Sequence, residues 1–220
     1  MPEPLRTTVL VSGSGSNLQA LIDACRSGRL NIDIGHVISN VADARGLQRA
    51  QLAGIPTSVL EHGRFADRNE FDRALALLIA ASEPQLVVLA GFMRIIGPEV
   101  LEPFRGRMIN LHPSLLPLHR GTDTYQRAID AGDEHHGASI HFVTEELDGG
   151  PVISQVVIPI LAADDAASLQ ARLAPMEHLL VVATAELFSR HRVECGDGFV
   201  SVDGRRLAKP RRLQADGHLD

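Results

Sequence analysis

A chain of 220 residues, 45% hydrophobic and 22% charged, has the length and composition of one soluble globular domain, or of one domain with a tail. Its net charge of −6 excludes a general binder of nucleic acid or anionic membrane surfaces and leaves room only for a local basic pocket. Cys25 and Cys195 support neither a disulfide framework nor a thiolate zinc site. Met1 to Arg6, with two prolines and an acid, does not read as a secretory signal, and no apolar stretch approaches the ~20 residues of a membrane helix. A reducing cytoplasm is therefore expected.

Leu5 to Ser12 reads as a first strand centred on Val9-Leu10-Val11, and Leu18 to Arg26 as a helix with Leu18, Leu21, Ile22 and Cys25 on one side. Between them lies Ser12-Gly13-Ser14-Gly15-Ser16-Asn17. Strand, small-residue loop and helix together present free N–H groups to an anion, with Ser16 or Asn17 as the helix cap. A plain βα turn needs fewer small residues, so phosphate binding is the stronger reading. The dinucleotide fingerprint is incomplete, because Leu18 stands where its third glycine belongs and the strand Ile32 to Ser39 ends in Asn40 rather than an acid. No Gly-Lys-Ser/Thr follows, which excludes a Walker loop.

Asp43 to Ala53 reads as a short helix ended by Gly54, and Thr57 to Leu60 as a short strand. Asp67 to Ala81 is an amphipathic helix with Phe71, Leu75, Leu78 and Ile79 on one side. Leu86 to Ala90 is wholly apolar, as a central parallel strand is. The alternation predicts a parallel sheet covered by helices. Gly91 to Pro98 is then an apolar loop at a carboxyl edge; it suits either the lining of a pocket for a flat aromatic ligand or a plug under the next helix.

The segment Met108-Ile109-Asn110-Leu111-His112-Pro113 ends an apolar strand in an amide and an imidazole at alternate positions, on one face. Pro113 stops the strand, leaving both at the sheet edge where open α/β folds bind ligands. An imidazole takes a proton and an amide N–H stabilises an oxyanion. A buried strand whose last polar groups bond a loop fits the same spacing.

Thr122 to Ala131 reads as a helix, Ala138 to Val143 as an alternating strand with His141 on one face, and Val152 to Ile160 as a strand antiparallel to it through a glycine-rich acidic turn. Among Glu145, Glu146 and Asp148 in that turn, Asp148 stands out beside Gly149-Gly150; holding His112, it would raise the affinity of the ring for a proton. His135-His136 reads as a polar turn with Asp133 and Glu134, where a metal is conceivable and a solvated pair commoner. Ser114 lacks a nucleophile-elbow pattern, and His36, His62, His191 and His218 receive no role. Asp165 to His191 reads as a long helix with a kink site at Pro175. Phe199 to Leu207 reads as a hairpin turning at Asp203-Gly204, with a peripheral charged end beyond it.

Gly13-Ser14-Gly15-Ser16-Asn17-Leu18-Gln19-Ala20, Ala90-Gly91-Phe92-Met93-Arg94-Ile95, Asn110-Leu111-His112-Pro113-Ser114-Leu115-Leu116-Pro117 and Leu147-Asp148-Gly149-Gly150-Pro151-Val152 occur in that order. Together they resemble the phosphoribosylglycinamide formyltransferase family, the folate-dependent enzymes of purine synthesis, over about residues 7 to 190. The resemblance implies an α/β formyltransferase fold, with a Rossmann-like mostly parallel sheet, helices on both faces and an antiparallel C-terminal part. It implies one domain over 1-192, with a phosphate-binding half (1-105) and a catalytic, folate-binding half (106-192), then a hairpin and tail (193-220).

The resemblance also implies 10-formyltetrahydrofolate as co-substrate, glycinamide ribonucleotide as acceptor, no metal, and no nucleic-acid or membrane partner, in a monomer or homodimer. By matching residue, Asn110, His112 and Asp148 resemble the catalytic trio. Gly15, Ser16 and Asn17 match the phosphate loop and Glu177 the acid that holds the ribose, while Arg68, Met93, Arg94, Ile95 and Ile96, with Asn110 and Val143, fall where the family contacts folate. In that chemistry a neutral amine attacks the formyl carbon, Asn110 and protonated His112 stabilise its oxygen, and Asp148 supports the imidazolium and orders a water that relays the proton to N10. Two departures touch the acceptor side: Leu118-His119-Arg120 follows the double-leucine motif, and Ala174 precedes Glu177 by three. His119-Arg120-Gly121 faintly resembles methionyl-tRNA formyltransferase, but neither its C-terminal domain nor the N-terminal regulatory domain of formyltetrahydrofolate hydrolase is expected here. Hydrolysis of the same folate, releasing formate without an acceptor, is the alternative activity; a non-catalytic phosphate-binding module is a third reading.

Overall fold

The computed structural model describes residues 3–220; Met1 and Pro2, which open the segment read as no secretory signal and the predicted domain, lie outside the described residues. The chain divides into two compact units, one ending at Asn110 and the other starting at Leu111.

The first unit alternates strand and helix: β1 (Leu5–Val11), α1 (Ser16–Arg26), β2 (Ile32–Ser39), α2 (Arg45–Leu52), β3 (Thr57–Val59), α3 (Arg68–Ala80), β4 (Leu86–Leu89), α4 (Pro98–Leu101) and β5 (Met108–His112), whose last two residues already belong to the second unit. The strands run parallel in the order β3-β2-β1-β4-β5. Consecutive strands step one way from β1 to β3 and the other way from β4, so the topology reverses between β1 and β4. Val9, Leu10 and Val11 on β1 and Val87 and Val88 on β4 are buried irrespective of the face they point to, which is why these segments read as continuous apolar runs. Helix α3 begins where predicted because the Asp67 carboxylate accepts the Glu70 N–H at 2.8 Å, and Phe71, Leu75 and Ile79 bury its inner side.

In the second unit, α5 (Thr124–Asp130) precedes β6 (His135–Phe142) and β7 (Val152–Pro159), which pair antiparallel as expected. Strand β6 starts three residues earlier than the sequence indicated. His135 and His136 therefore belong to a strand rather than a polar turn, and His136 is almost wholly buried. Nor does β6 alternate: every residue from His136 to Phe142 is buried. Helix α6 (Ala166–Arg190) opens with a capping box between Asp165 and Ser168 and continues through Pro175. The predicted hairpin is present as β9 (Val200–Val202) and β10 (Arg205–Arg206), with β8 (Val193–Cys195) as a third antiparallel strand. The charged end is not peripheral, since β11 (Arg211–Arg212) pairs parallel with β7. Among the described residues no helix is long and apolar enough to cross a membrane.

Gly15 sits at φ +66° immediately before α1, and a Cβ there would run into the backbone of Gly46 at the start of α2. Both a left-handed penalty and a collision follow for any side chain. Gly15→Ala should lower unfolding free energy by about 1–3 kcal/mol, read as a shift of the urea midpoint; a change below about 0.5 kcal/mol would mean that the loop relaxes without cost.

Candidate active site

The carboxyl ends of β1 and β4, flanking the reversal, are tied together through Ser12. Its N–H donates to the Gly91 carbonyl at 3.0 Å, and its hydroxyl donates to Asn40 Oδ1 at 2.5 Å while accepting the Met93 N–H at 2.7 Å. Asn40, which occupies the place of a ribose-holding acid, is thus committed to the scaffold. The loop that follows is bound to α2: Gly46 N–H donates to the Gly13 carbonyl at 3.0 Å and Arg49 Nε to the Ser14 carbonyl at 2.8 Å. With those carbonyls engaged, the first N–H groups of α1 are left for a ligand.

Neither Ser16 nor Asn17 caps the helix as predicted; Gly15 occupies the cap position and provides no side chain. Asn17 Oδ1 is buried without a hydrogen-bond partner among the described residues, an acceptor that a bound ligand would satisfy. Arg49, which adds a cation to this loop, carried no signal in the sequence beyond being one basic residue on a short helix.

The apolar loop after β4 serves both of its sequence-level readings. Phe92 and Ile96 are buried beneath it, whereas Met93 is 75% and Ile95 56% exposed. Arg68, at the start of α3, donates to the Ile95 carbonyl at 3.1 Å and lies 3.5 Å from the buried Asp72 carboxylate; Arg94 lies 5.8 Å over the Phe71 ring. Arg68 and Met93 to Ile96 are therefore gathered at one edge. Burial pushes the Asp72 carboxyl up, Arg68 opposes that, and Glu99 adds to it.

In the second unit, His112 at the end of β5 is 5% exposed. Its Nε2 is 3.0 Å from the His119 carbonyl, which accepts an N–H from it, and its Nδ1 is 3.5 Å from Asp148 Oδ2. Asp148 Oδ2 also accepts the Gly121 N–H at 2.9 Å, and Oδ1 lies 3.6 Å from His141 Nε2. The other nitrogen of His141, Nδ1, donates to the Phe142 carbonyl at 2.8 Å. One carboxylate thus stands between two buried imidazoles. Burial alone would raise the Asp148 pKa, but hydrogen bonds from His141 and Gly121 and the adjoining rings outweigh it and hold the carboxyl below its usual range. For His112, burial lowers the pKa; the His119 carbonyl and, as expected, Asp148 raise the proton affinity of the ring but do not make up for burial. The ring is neutral at rest beside an ionised acid.

His119 and His141 were missed as parts of this cluster. The segment Leu118-His119-Arg120, noted only as a departure, supplies through His119, at φ +51°, the carbonyl that fixes the tautomer of His112. The His119 ring is 2.6 Å from Asp133, and Arg120 bonds Glu146. His141 lies one turn before Asp148 on the same hairpin, and its only sequence signal was its place on the strand. Asn110, half-buried, is on the face of β5 shared with His112, and pairs in register with Leu89. Val143 is half-buried just after β6. Glu177 accepts from the Tyr125 hydroxyl at 3.2 Å, and the Tyr125 ring packs 5.1 Å from that of His136, whose charge neighbours include His119 and His112.

A glycine-serine loop opening a helix in one unit and a buried imidazole beside a carboxylate in the other are groups that suit a group-transfer enzyme. The formyl transferase family model matches residues 5–185. The phosphoribosylglycinamide formyltransferase of Escherichia coli is 44% identical over 96% of this chain and all of its own length, and that of Haemophilus influenzae 42% over 93% and 96%. A solved structure of the Coxiella burnetii phosphoribosylglycinamide formyltransferase superimposes with a TM-score of 0.89 at 45% identity, covering 94% of this chain and 97% of that one. The chain belongs to the formyl transferase family, in its phosphoribosylglycinamide formyltransferase branch.

The buried His136 has its pKa lowered from 6.5 to about 4, chiefly by burial and then by the charge of His119. An unfolded chain takes up this proton below pH 6.5 and the folded one refuses it until about pH 4. Stability should be unaffected above that window and fall by up to about 3 kcal/mol as pH drops through it. In urea unfolding at pH 7 and pH 4.5 the His136→Gln variant should lose most of this difference; an undiminished difference would assign it to other groups.

Proposed function

We propose that this chain transfers the formyl group of 10-formyltetrahydrofolate to the amine of glycinamide ribonucleotide, in purine synthesis, with Asn110, His112 and Asp148 as its catalytic residues. The observation that carries this reading is the neutral His112 set 3.5 Å from an ionised Asp148 at the end of a strand that also bears Asn110, in a chain of this family. The amine nitrogen attacks the formyl carbon, and negative charge grows on the formyl oxygen, where the Asn110 amide N–H donates and the positive charge of a protonated His112 ring adds stabilisation. Growing charge raises the proton affinity of the neutral ring, so His112 takes up the proton given up by the attacking nitrogen, through water ordered by Asp148, and becomes an imidazolium facing that carboxylate. The same proton returns through the water to N10 as the C–N10 bond breaks. Holding both substrates in line supplies much of the remaining acceleration.

Gly15, Ser16 and Asn17 take the ribonucleotide phosphate on the N–H groups at the start of α1, and Glu177 takes the ribose. Arg68, Met93, Arg94, Ile95, Ile96 and Val143 hold the folate, whose pterin and glutamate ends suit the exposed Met93 and Ile95 beside two guanidiniums. Both partners are small molecules, the expected compartment is the cytoplasm, and the chain acts as a monomer or homodimer.

Folate absorbance followed with and without glycinamide ribonucleotide tests the activity: loss of the formyl group only when the ribonucleotide is present is expected, and loss without it would make the chain a hydrolase. Asn110→Ala and His112→Ala should each lower kcat by about 10²–10⁴ with folding intact. The Asp148 carboxylate raises the proton affinity of His112. Asp148→Asn should therefore move the acid limb of the kcat/KM profile to lower pH while reducing its plateau. Superimposable profiles would remove Asp148 from this role.

A further inference from the structure

The C-terminal segment contains an arginine cleft that formyl transfer does not use. Arg205-Arg206-Leu207-Ala208-Lys209-Pro210-Arg211-Arg212 places five cations in eight residues of a chain whose net charge is −6. Folding does not spread them over the surface. Strands β10 and β11 bring Arg205, Arg206 and Arg211 around one cleft of about 440 Å³, closed by the last turn of α6. A volume of that size falls in the range of about 300–1,000 Å³ typical of small-ligand sites.

The charges in its wall are not balanced from within. Asp203 is the one carboxylate in the lining, and it is already engaged: Oδ2 is 2.7 Å from His191 Nδ1, and Oδ1 accepts the Arg192 N–H at 3.0 Å. Arg205 meets Asp203 only as a neighbouring charge. Arg206 lies 4.6 Å over the Phe199 ring. Arg211 donates Nη1 to a main-chain oxygen of Asp220, but its Nε is buried with no hydrogen-bond partner among the described residues. An orphaned buried donor in a cluster of like charges is unfavourable until an anion arrives. Leu187, Val202 and Leu207 form the apolar part of the same wall.

We propose that this cleft binds a phosphorylated small molecule of about nucleotide size. Its phosphate is held by Arg205 and Arg211, whose planar forks match phosphate oxygens two at a time, and its apolar body lies against Leu187, Val202 and Leu207. The site is separate from the α1 loop in sequence and in unit.

Calorimetric titration of the full chain with ADP, and with adenosine as the uncharged control, tests this. ADP should bind, adenosine should not, and binding should weaken as salt is raised. The double variant Arg205→Gln/Arg211→Gln should bind ADP at this site at least about tenfold more weakly, while its formyl transfer and its urea midpoint stay at wild-type values. Because the α1 loop is also a candidate for phosphate, the quantity read is the difference between wild type and variant. Equal ADP isotherms for the two proteins, or equal binding of adenosine and ADP, would overturn the proposal. So would a variant that lost formyl transfer along with ADP binding, since the arginines would then be serving the rest of the protein.

Discussion

The buried polar cluster of the second unit is held together by one carboxylate. Asp148 takes a left-handed backbone conformation, φ +49°, one residue beyond Leu147 and just before Gly149-Gly150. A Cβ on Gly150 would strike the Phe142 carbonyl, so the turn closes tightly enough to swing the Asp148 side chain back toward the strand it came from. There it meets His141 on one oxygen, and His112 with the Gly121 N–H on the other. Removing the His141 or the Gly121 donor would leave a buried charge short of partners, which costs more than the contact itself contributes. The left-handed conformation of a non-glycine residue persists because this set of contacts holds it.

Burial and charge pull His112 in opposite directions, and burial wins. The outcome suits the proposed chemistry: a ring already protonated could not respond to charge building on a nearby oxygen, whereas a neutral one beside a carboxylate does so at the transition state. The His119 carbonyl adds the orientation, fixing which nitrogen carries the hydrogen and turning the other toward Asp148.

In the first unit, backbone rather than side chains does most of the positioning. Gly15 and Gly46 approach so closely that neither tolerates a larger neighbour, and the Gly13 and Ser14 carbonyls are tied to α2. Ser12 binds the ends of β1 and β4 together where the topology reverses, the place at which parallel sheets open to a ligand. Arg68 and Asp72 form a comparable brace for the exposed Met93 and Ile95.

Strand and helix order in the first unit, the antiparallel β6 and β7 and the long α6 could be read from local pattern, because apolar runs, glycine turns and a strand-ending proline act over a few residues; motif singled out His112 and Asp148, which the fold brings to 3.5 Å. The cap of α1 could not, since its geometry is decided by packing against Gly46, thirty-one residues away. The same holds for His136, whose polar neighbours suggested a turn but which the pairing of β6 with β7 takes into the interior. Sequence by itself thus determined the class of fold and the chemical groups present at the site. Tertiary structure alone decided their protonation states, the carbonyl that orients His112 and the convergence of three arginines on one cleft, because each depends on desolvation and on contacts between residues far apart in the chain.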